Sequence, residues 1–435
     1  VTPQLKVDGE AIFDATGGTQ TIAITANCEW QLISQADWLS FSVESGTGNA
    51  EVIITATEYV NIQGREETVE VRFEGGNIPI KISQKGLEAV MLNDEASANC
   101  YLVNFGEGLY AVKTSYKGNS LTEAIGDWTT ASLLWQDKKG LITKISSNPE
   151  ENLMFIDISD NTGNAVVCVK NAAGEILWSW HLWVADFDPD VTAFTTPEDY
   201  GDGSRWTFMD RHLGATVATP GSTGAFGLIY QWGRKDPFTA SAAATEEERK
   251  IYDINGNELD NFHIMASNNG SLSLSILNPM TFYTVSYETG DWRDDSDDDL
   301  WGGVSLKKTI YDPCPVGWKL PVSDEAGKTP YGFLNRNNTT WIDNGRLFNE
   351  TDWWLAGSGT RVLATGELNI NIFGDTYGGL WTGTHGSTNP DPEYPALYGQ
   401  YMFIGSGRLV SVGKDSRSQG MSVRSEEHTS ELQSH

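Results

Sequence analysis

The chain has 435 residues, 39% of them hydrophobic and 20% charged, with a formal net charge of −30 and a pI near 4.4. That field repels phosphate backbones and anionic lipid surfaces, and no run of Lys and Arg reverses it locally, so the balance argues against nucleic acid as a partner. The length fits two or three domains, no apolar stretch is long enough to span a membrane, and abundant Gly, Thr, Ser, Asn and aromatics with few amphipathic helical windows predict a mostly β protein.

Residues 1–86 alternate apolar and polar positions in short runs, among them Thr21-Ile-Ala-Ile-Thr25, Glu51-Val-Ile-Ile-Thr55 and Thr68-Val-Glu-Val-Arg-Phe73, separated by glycine turns. This reads as a seven-strand sandwich. Trp30 and Trp38 could serve as sugar platforms, but tryptophans in alternating runs fill the space between sheets, and core packing is the expectation. The sequence Asp37-Trp-Leu-Ser40, Ser45-Gly-Thr-Gly48, Arg65 before a strand and Ile82-Ser-Gln-Lys-Gly86 resembles the BACON domain of Bacteroidetes, an immunoglobulin-like sandwich named for a suspected carbohydrate-binding role. A spacer role is expected for it here.

Residues 87–195 stay β, with strands expected around Asn99–Val103, Leu109–Val112, Ala131–Trp135, Leu153–Ile158 and Ala165–Val169. A glycine turn at Asn171–Glu175 joins the last of these to Ile176-Leu-Trp-Ser-Trp-His-Leu-Trp-Val184 as a hairpin. Period-two alternation puts Trp178, Trp180 and Leu182 on one face and Ser179, His181 and Trp183 on the other, which is either a recognition patch or a face buried against its neighbour. The segment is expected to be a second β-sandwich-like domain and resembles a middle module found between BACON and lectin-like parts. Asp186, Asp188 and Asp190 with Pro189 and Pro197 read as a linker.

Residues 196–424 carry many short elements and suggest a loop-rich mixed α/β fold with one helix at Ala243–Tyr252. Met209-Asp-Arg-His-Leu-Gly-Ala215, Tyr230-Gln-Trp-Gly-Arg-Lys-Asp-Pro-Phe238, Asp312-Pro-Cys-Pro-Val-Gly-Trp318 and Gly420-Met-Ser-Val-Arg424 follow in order. Their order and spacing resemble the C-type-lectin-like domains of Bacteroidetes surface proteins, close to the Fibrobacter major paralogous group and distantly similar to the formylglycine-generating fold. Arg424-Ser-Glu-Glu-His-Thr-Ser-Glu-Leu-Gln-Ser-His435 resembles one reading frame of a sequencing-library adapter, so 425–435 is expected to be foreign to the domain. The start at Val1, without Met, leads to the expectation of a lipoprotein or secretory signal upstream.

Candidate chemistry is thin. No His-Glu-x-x-His, Gly-x-Ser-x-Gly or P-loop occurs, and His181, His212, His263 and His385 lack metal-ligand spacing. Cys28, Cys100, Cys168 and Cys314 form no Cys-x-x-Cys pair; Cys100 with Cys168 is the candidate disulfide, and isolated buried thiols are the alternative. The acidic loop Asp291–Trp301 invites a calcium reading through Asp294, Asp295, Asp297, Asp298 and Asp299, or else is a solvated loop. Trp292, Trp301, Trp341 and Trp381 with Asn389 and Asp391 are the candidate glycan contacts, aromatic faces edged by polar acceptors. The expectation is a non-catalytic, extracellular, adhesin-like protein, anchored in the outer membrane through the upstream signal, that binds glycan or another host or bacterial surface ligand. The alternatives are a structural or fimbrial assembly component that binds protein and, behind it, a polysaccharide-degrading enzyme, whose two carboxylates a chain so acidic neither reveals nor hides.

Overall fold

The computed structural model describes residues 2–427 apart from 95, 105, 198–204, 240–245, 247–248, 261, 267–269, 287–288, 295–296, 325–327, 370, 373–374 and 387–397. It is mostly β, with two short α-helices among the described residues, Pro189–Thr192 and Leu272–Leu277. Among the described residues no helix is long and apolar enough to cross a membrane. The chain divides into two compact units, Val1–Val90 with Ser146–Phe155, and Met91–Ile145 with Ile156–His435.

In the first unit the period-two pattern closes two sheets over one core. One sheet orders Leu5–Asp8, Gly18–Ala26, Ala50–Ala56 and Leu39–Phe41; the other orders Ala11–Phe13, Gly76–Gln84, Arg65–Phe73, Glu29–Ile33 and Ser45–Thr47. These are nine strands where seven were expected, four of the nine only three or four residues long. Ile22, Ile24, Val52 and Ile54 face Trp30, Leu32, Val69, Val71, Ile80 and Ile82, all buried. Trp30 and Trp38 both belong to this core, and Trp30 Nε1 donates to Gly48 O at 2.9 Å. Gly46 leaves room for the indole, since a Cβ there would lie 2.6 Å from the ring. Arg65 is held between the rings of Trp38 and Tyr59, at 4.3 and 4.1 Å, and donates from Nε to Gln84 Oε1 at 2.9 Å. Gln84 is itself buried and donates to the carbonyls of Ala15 and Thr57, so the residues that carry the BACON resemblance form one interlock.

In the second unit the central sheet orders Cys100–Val103, Ile176–Val184, Gly163–Lys170 and Thr130–Gln136. Both faces of Ile176–Val184 are covered: Trp178, Ser179, Trp180, His181, Leu182 and Trp183 are all buried. The face with Ser179, His181 and Trp183 is therefore no open recognition patch. Ser179 Oγ donates to Asp236 Oδ1 at 2.6 Å and Trp183 Nε1 to Ala215 O at 3.0 Å, so residues on either side of position 195 share one core, which runs from Cys100, Trp135, Val166 and Trp183 to Trp232, Trp301, Trp318 and Trp381.

The larger sheet of this unit orders Leu368–Asn369, Thr360–Arg361, Gly420–Val423, Asp375–His385, Tyr398–Gly405 and Leu409–Ser416, with Ile229–Gln231 also on Gly420–Val423. Half of the expected helix at 243–252 falls outside the described residues, and the described half is not α-helical. At its described end Tyr252 makes extended bridges to Gln136 and Glu258 instead.

The sequence motifs of this half supply buried polar struts. Gln231 Nε2 donates to the carbonyls of Tyr283 and Ser418, Arg234 to those of Thr281 and Pro279, and Lys235 pairs with Asp236 at 2.8 Å. Asp312 accepts from the amides of Cys314 and Leu320 at 2.8 and 2.9 Å, and Arg424 Nη2 donates to Trp354 O. Loops that lack a ladder must satisfy buried carbonyls with side-chain donors, which is why cations recur inside a core. Residues 425–427 are packed too: Glu426–Glu427 pairs with Phe208 and with Trp318–Lys319.

Candidate functional site

Three of the four sequence-predicted aromatic contacts are not on the surface. Trp292 is buried against Tyr283 and donates to Trp232 O at 2.8 Å; Trp301 is buried beside Trp232; Trp381 is buried and donates to Tyr230 O at 3.0 Å. Each indole N–H is used by a backbone carbonyl and each ring face by a neighbour, so none of the three can stack on a ligand. Trp341 is half-buried and packs on a different cluster, around Phe208, Phe333 and Trp353. Asn389 and Asp391 lie outside the described residues.

The acidic loop is committed to protein partners. Asp298 pairs with Arg417, whose guanidinium is buried over Trp232 and also reaches Asp291 Oδ2 at 3.3 Å. Asp299 Oδ1 accepts from the amides of Val304 and Ser305 at 2.9 and 2.7 Å, and Asp297 Oδ1 from the amide of Asp299 at 2.8 Å. Asp294 is exposed and Asp295 lies outside the described residues. Among the described residues no three His, Cys, Asp or Glu side chains converge as a metal site. Within the dense acidic run that suggested calcium, Asp291 and Asp298 are met by Arg417.

A Cys–His–Asn chain does form, unexpectedly. Cys100 Sγ lies 3.3 Å from His181 Nδ1, and His181 Nε2 lies 2.9 Å from Asn164 Oδ1. That order of groups is the one nucleophilic cysteine sites use. Here all three side chains are buried, and burial pushes the thiol up and the imidazole down to about 3, so the thiolate–imidazolium state is disfavoured and no substrate reaches the sulfur. The chain is structural. All four cysteines are free, which removes the Cys100–Cys168 disulfide; Cys168 Sγ instead lies 3.4 Å from Ser132 Oγ.

What the second unit does offer is a charged cleft of about 530 Å³, within the range of small-molecule sites. Phe262 and Ile264, at the strand His263–Ala266, give it an apolar wall, and Leu259 and Leu368 extend that wall. Its polar groups are the cations Arg249, Lys250 and Arg361 and the carboxylates Glu246, Glu258, Asp260 and Glu367. Arg361, on the strand Thr360–Arg361, is anchored by its Nη1 to Gly366 O at 2.6 Å and by its Nη2 to Thr239 O at 3.3 Å. Gly366 turns the chain with φ +70°, and a Cβ there would lie 2.9 Å from Ile264. The guanidinium flanks Phe262 and Phe282 at 5.9 and 5.8 Å. Burial, and then the neighbouring Arg249, push its pKa down to about 10. Lys250 pairs with Glu258 at 3.1 Å. None of these residues falls in a motif; a lone Arg between a strand and a Thr-Gly turn gives no signal until Thr239 and Phe262 are brought beside it.

Residues 29–85 match the BACON family, described as "Putative binding domain, N-terminal". No curated protein matches the chain. Among solved structures, a Bacteroides ovatus GH5 xyloglucanase in complex with a heptasaccharide is 32% identical over 22% of this chain and 21% of its own length, with a TM-score of 0.19. The chain thus spans about a fifth of that protein. A tandem of titin immunoglobulin domains is 11% identical over 42% of this chain and 97% of its own, with a TM-score of 0.17, and domains of a surface-layer protein are 14% identical over 40% and 23%, with a TM-score of 0.16.

Proposed function

We propose that this is a non-catalytic binding protein of a Bacteroidetes cell surface, in which a BACON sandwich accompanies a C-type-lectin-like unit that takes a glycan or another surface ligand. The observation that carries this reading is the cleft around Arg361. It combines an apolar wall, fixed hydrogen-bond donors and several carboxylate acceptors on strands and turns of a packed unit, the kit needed to hold a hydroxyl-rich ligand. The buried tryptophans and the arginine-paired aspartates take no part in it. A glycan-array screen of the whole chain, with calcium and with chelator, tests it. Binding that is indifferent to chelator and lost on substitution in the cleft supports the reading, and silence on every sugar from folded protein removes it.

A second reading, an assembly component, has its own observation. Leu409–Ser416 is an edge strand of the large sheet, with no strand on its outer side among the described residues and Val412 exposed on it. Open edges pair with other chains. Concentration-dependent self-association that a proline at Val412 abolishes would favour this reading over the first.

A further inference from the structure

Resting on the glycan reading above, we infer that the cleft selects acidic sugars, with Arg361 and Arg249 receiving the carboxylate of a uronic-acid-type residue. Two of the three cations in the cleft have no carboxylate partner among the described residues, although the chain carries 59 acidic residues against 29 basic ones. Arg361 spends both terminal nitrogens on backbone carbonyls, while its Nε–H is buried without a hydrogen-bond partner among the described residues. A guanidinium that is enclosed, uncompensated and beside a second cation is costly unless an anion arrives. An arginine edge with a free N–H, next to another arginine, suits a planar carboxylate, which accepts parallel N–H bonds.

The remaining chemistry narrows the anion. Glu246, Asp260 and Glu367 line the same cleft as hydroxyl acceptors. Together with a chain charge of −30 they repel a polyanion or an acidic peptide, which brings many charges and few hydroxyl donors. A uronate ring brings one carboxylate and several hydroxyls, and Ile264, half-exposed at the wall, offers a surface for its C–H face. Lys250, already tied to Glu258, is the cation that need not take part.

The test is calorimetric titration of the whole chain with galacturonate and glucuronate, free and as the single acidic residue of a neutral oligosaccharide, beside their methyl esters and an oligoglutamate peptide. The expected result is binding of a uronate at least tenfold tighter than its ester, weakened at least tenfold by Arg249→Gln, with affinity falling as salt rises. Arg361→Lys is the second variant; it retains charge and loses the Nε–H edge, so it should weaken binding without abolishing it. Because Arg361 is anchored to backbone, Arg249→Gln decides the matter if Arg361→Lys unfolds. Equal binding of acid and ester overturns the carboxylate assignment and leaves the glycan reading standing. Binding of oligoglutamate alone overturns both, as does a folded protein that binds none of the probes and is silent on neutral sugars too. Uronate binding untouched by Arg249→Gln and Arg361→Lys overturns the placement in this cleft.

Discussion

His181 Nε2 and Asn164 Oδ1 meet at 2.9 Å in the core, and this contact fixes where the imidazole proton sits. Asn164 Nδ2 donates to Asp137 Oδ2 and to Gly214 O, so its Oδ1 must accept and His181 Nε2 must carry the hydrogen. Nδ1 is then the acceptor that faces the Cys100 thiol. A second ring proton has no place, in keeping with a pKa that burial pushes down to about 3. Between about pH 3 and 6.5 the unfolded chain binds this proton and the folded chain does not, so the stability His181 contributes is present above that window and is lost as pH falls through it. His212, also pushed down by burial, acts in the same direction. Asp137, pushed up to about 6, acts in the opposite one, so the imidazole is isolated by comparing wild type with His181→Gln. Denaturant unfolding from pH 7 to pH 4 should show a steeper loss for wild type; parallel profiles would show that the ring is not neutral and buried in solution.

Lys308 carries the turn of the Asp312–Trp318 motif. Its Nζ donates to the carbonyls of Cys314, Pro315 and Trp318 and pairs with Asp312 at 3.4 Å, all out of contact with water. Lys308→Met leaves Asp312 buried without its cation and three carbonyls without their donor, and should cost about 3–5 kcal/mol. A fall in melting temperature of under 2 °C would place this turn outside the cooperative core.

Alternation at Thr21–Thr25 and Thr68–Phe73 specifies strands because each apolar residue has an obvious inner face, and the sandwich follows. Trp292, Trp301 and Trp381 misled because an aromatic beside Asp and Gly looks the same whether its indole donates to a distant carbonyl or faces water; Trp232 O and Tyr230 O are contributed from 60 and 151 residues away. Arg361 was illegible for the same reason, since its anchors Thr239 and Gly366 lie 122 and 5 residues off. Arg65 and its partner Gln84 both fall within the BACON-like pattern, yet 19 residues separate them and only the fold joins them.

Glu426 gives the opposite pH dependence to His181. Its carboxyl is pushed up to about 8 by burial, its Oε2 has no partner among the described residues, and its strand lies against Phe208 and Lys319. The folded chain holds this proton between about pH 4.5 and 8 while the unfolded chain has lost it, so stability falls as pH rises through that window. Glu426→Gln should flatten the decline, and Glu426→Val should raise stability at pH 8 by about 1–3 kcal/mol by removing an unsatisfied polar group. No gain at pH 8 from either variant would mean that the carboxylate reaches water.

Alanine at the buried tryptophans separates folding from recognition. Trp292→Ala and Trp381→Ala each remove a fully enclosed indole and orphan a carbonyl acceptor, and should cost about 3–5 kcal/mol. Trp341→Ala, half-buried on a hairpin, should cost less than either. A binding assay alone would score the first two as ligand contacts, because unfolded protein binds nothing. Paired with near-UV circular dichroism, the expectation is that binding is lost only where the tryptophan signal collapses, whereas Arg249→Gln loses binding with the spectrum intact. A Trp292→Ala protein that keeps its spectrum and still loses binding would return that indole to the site.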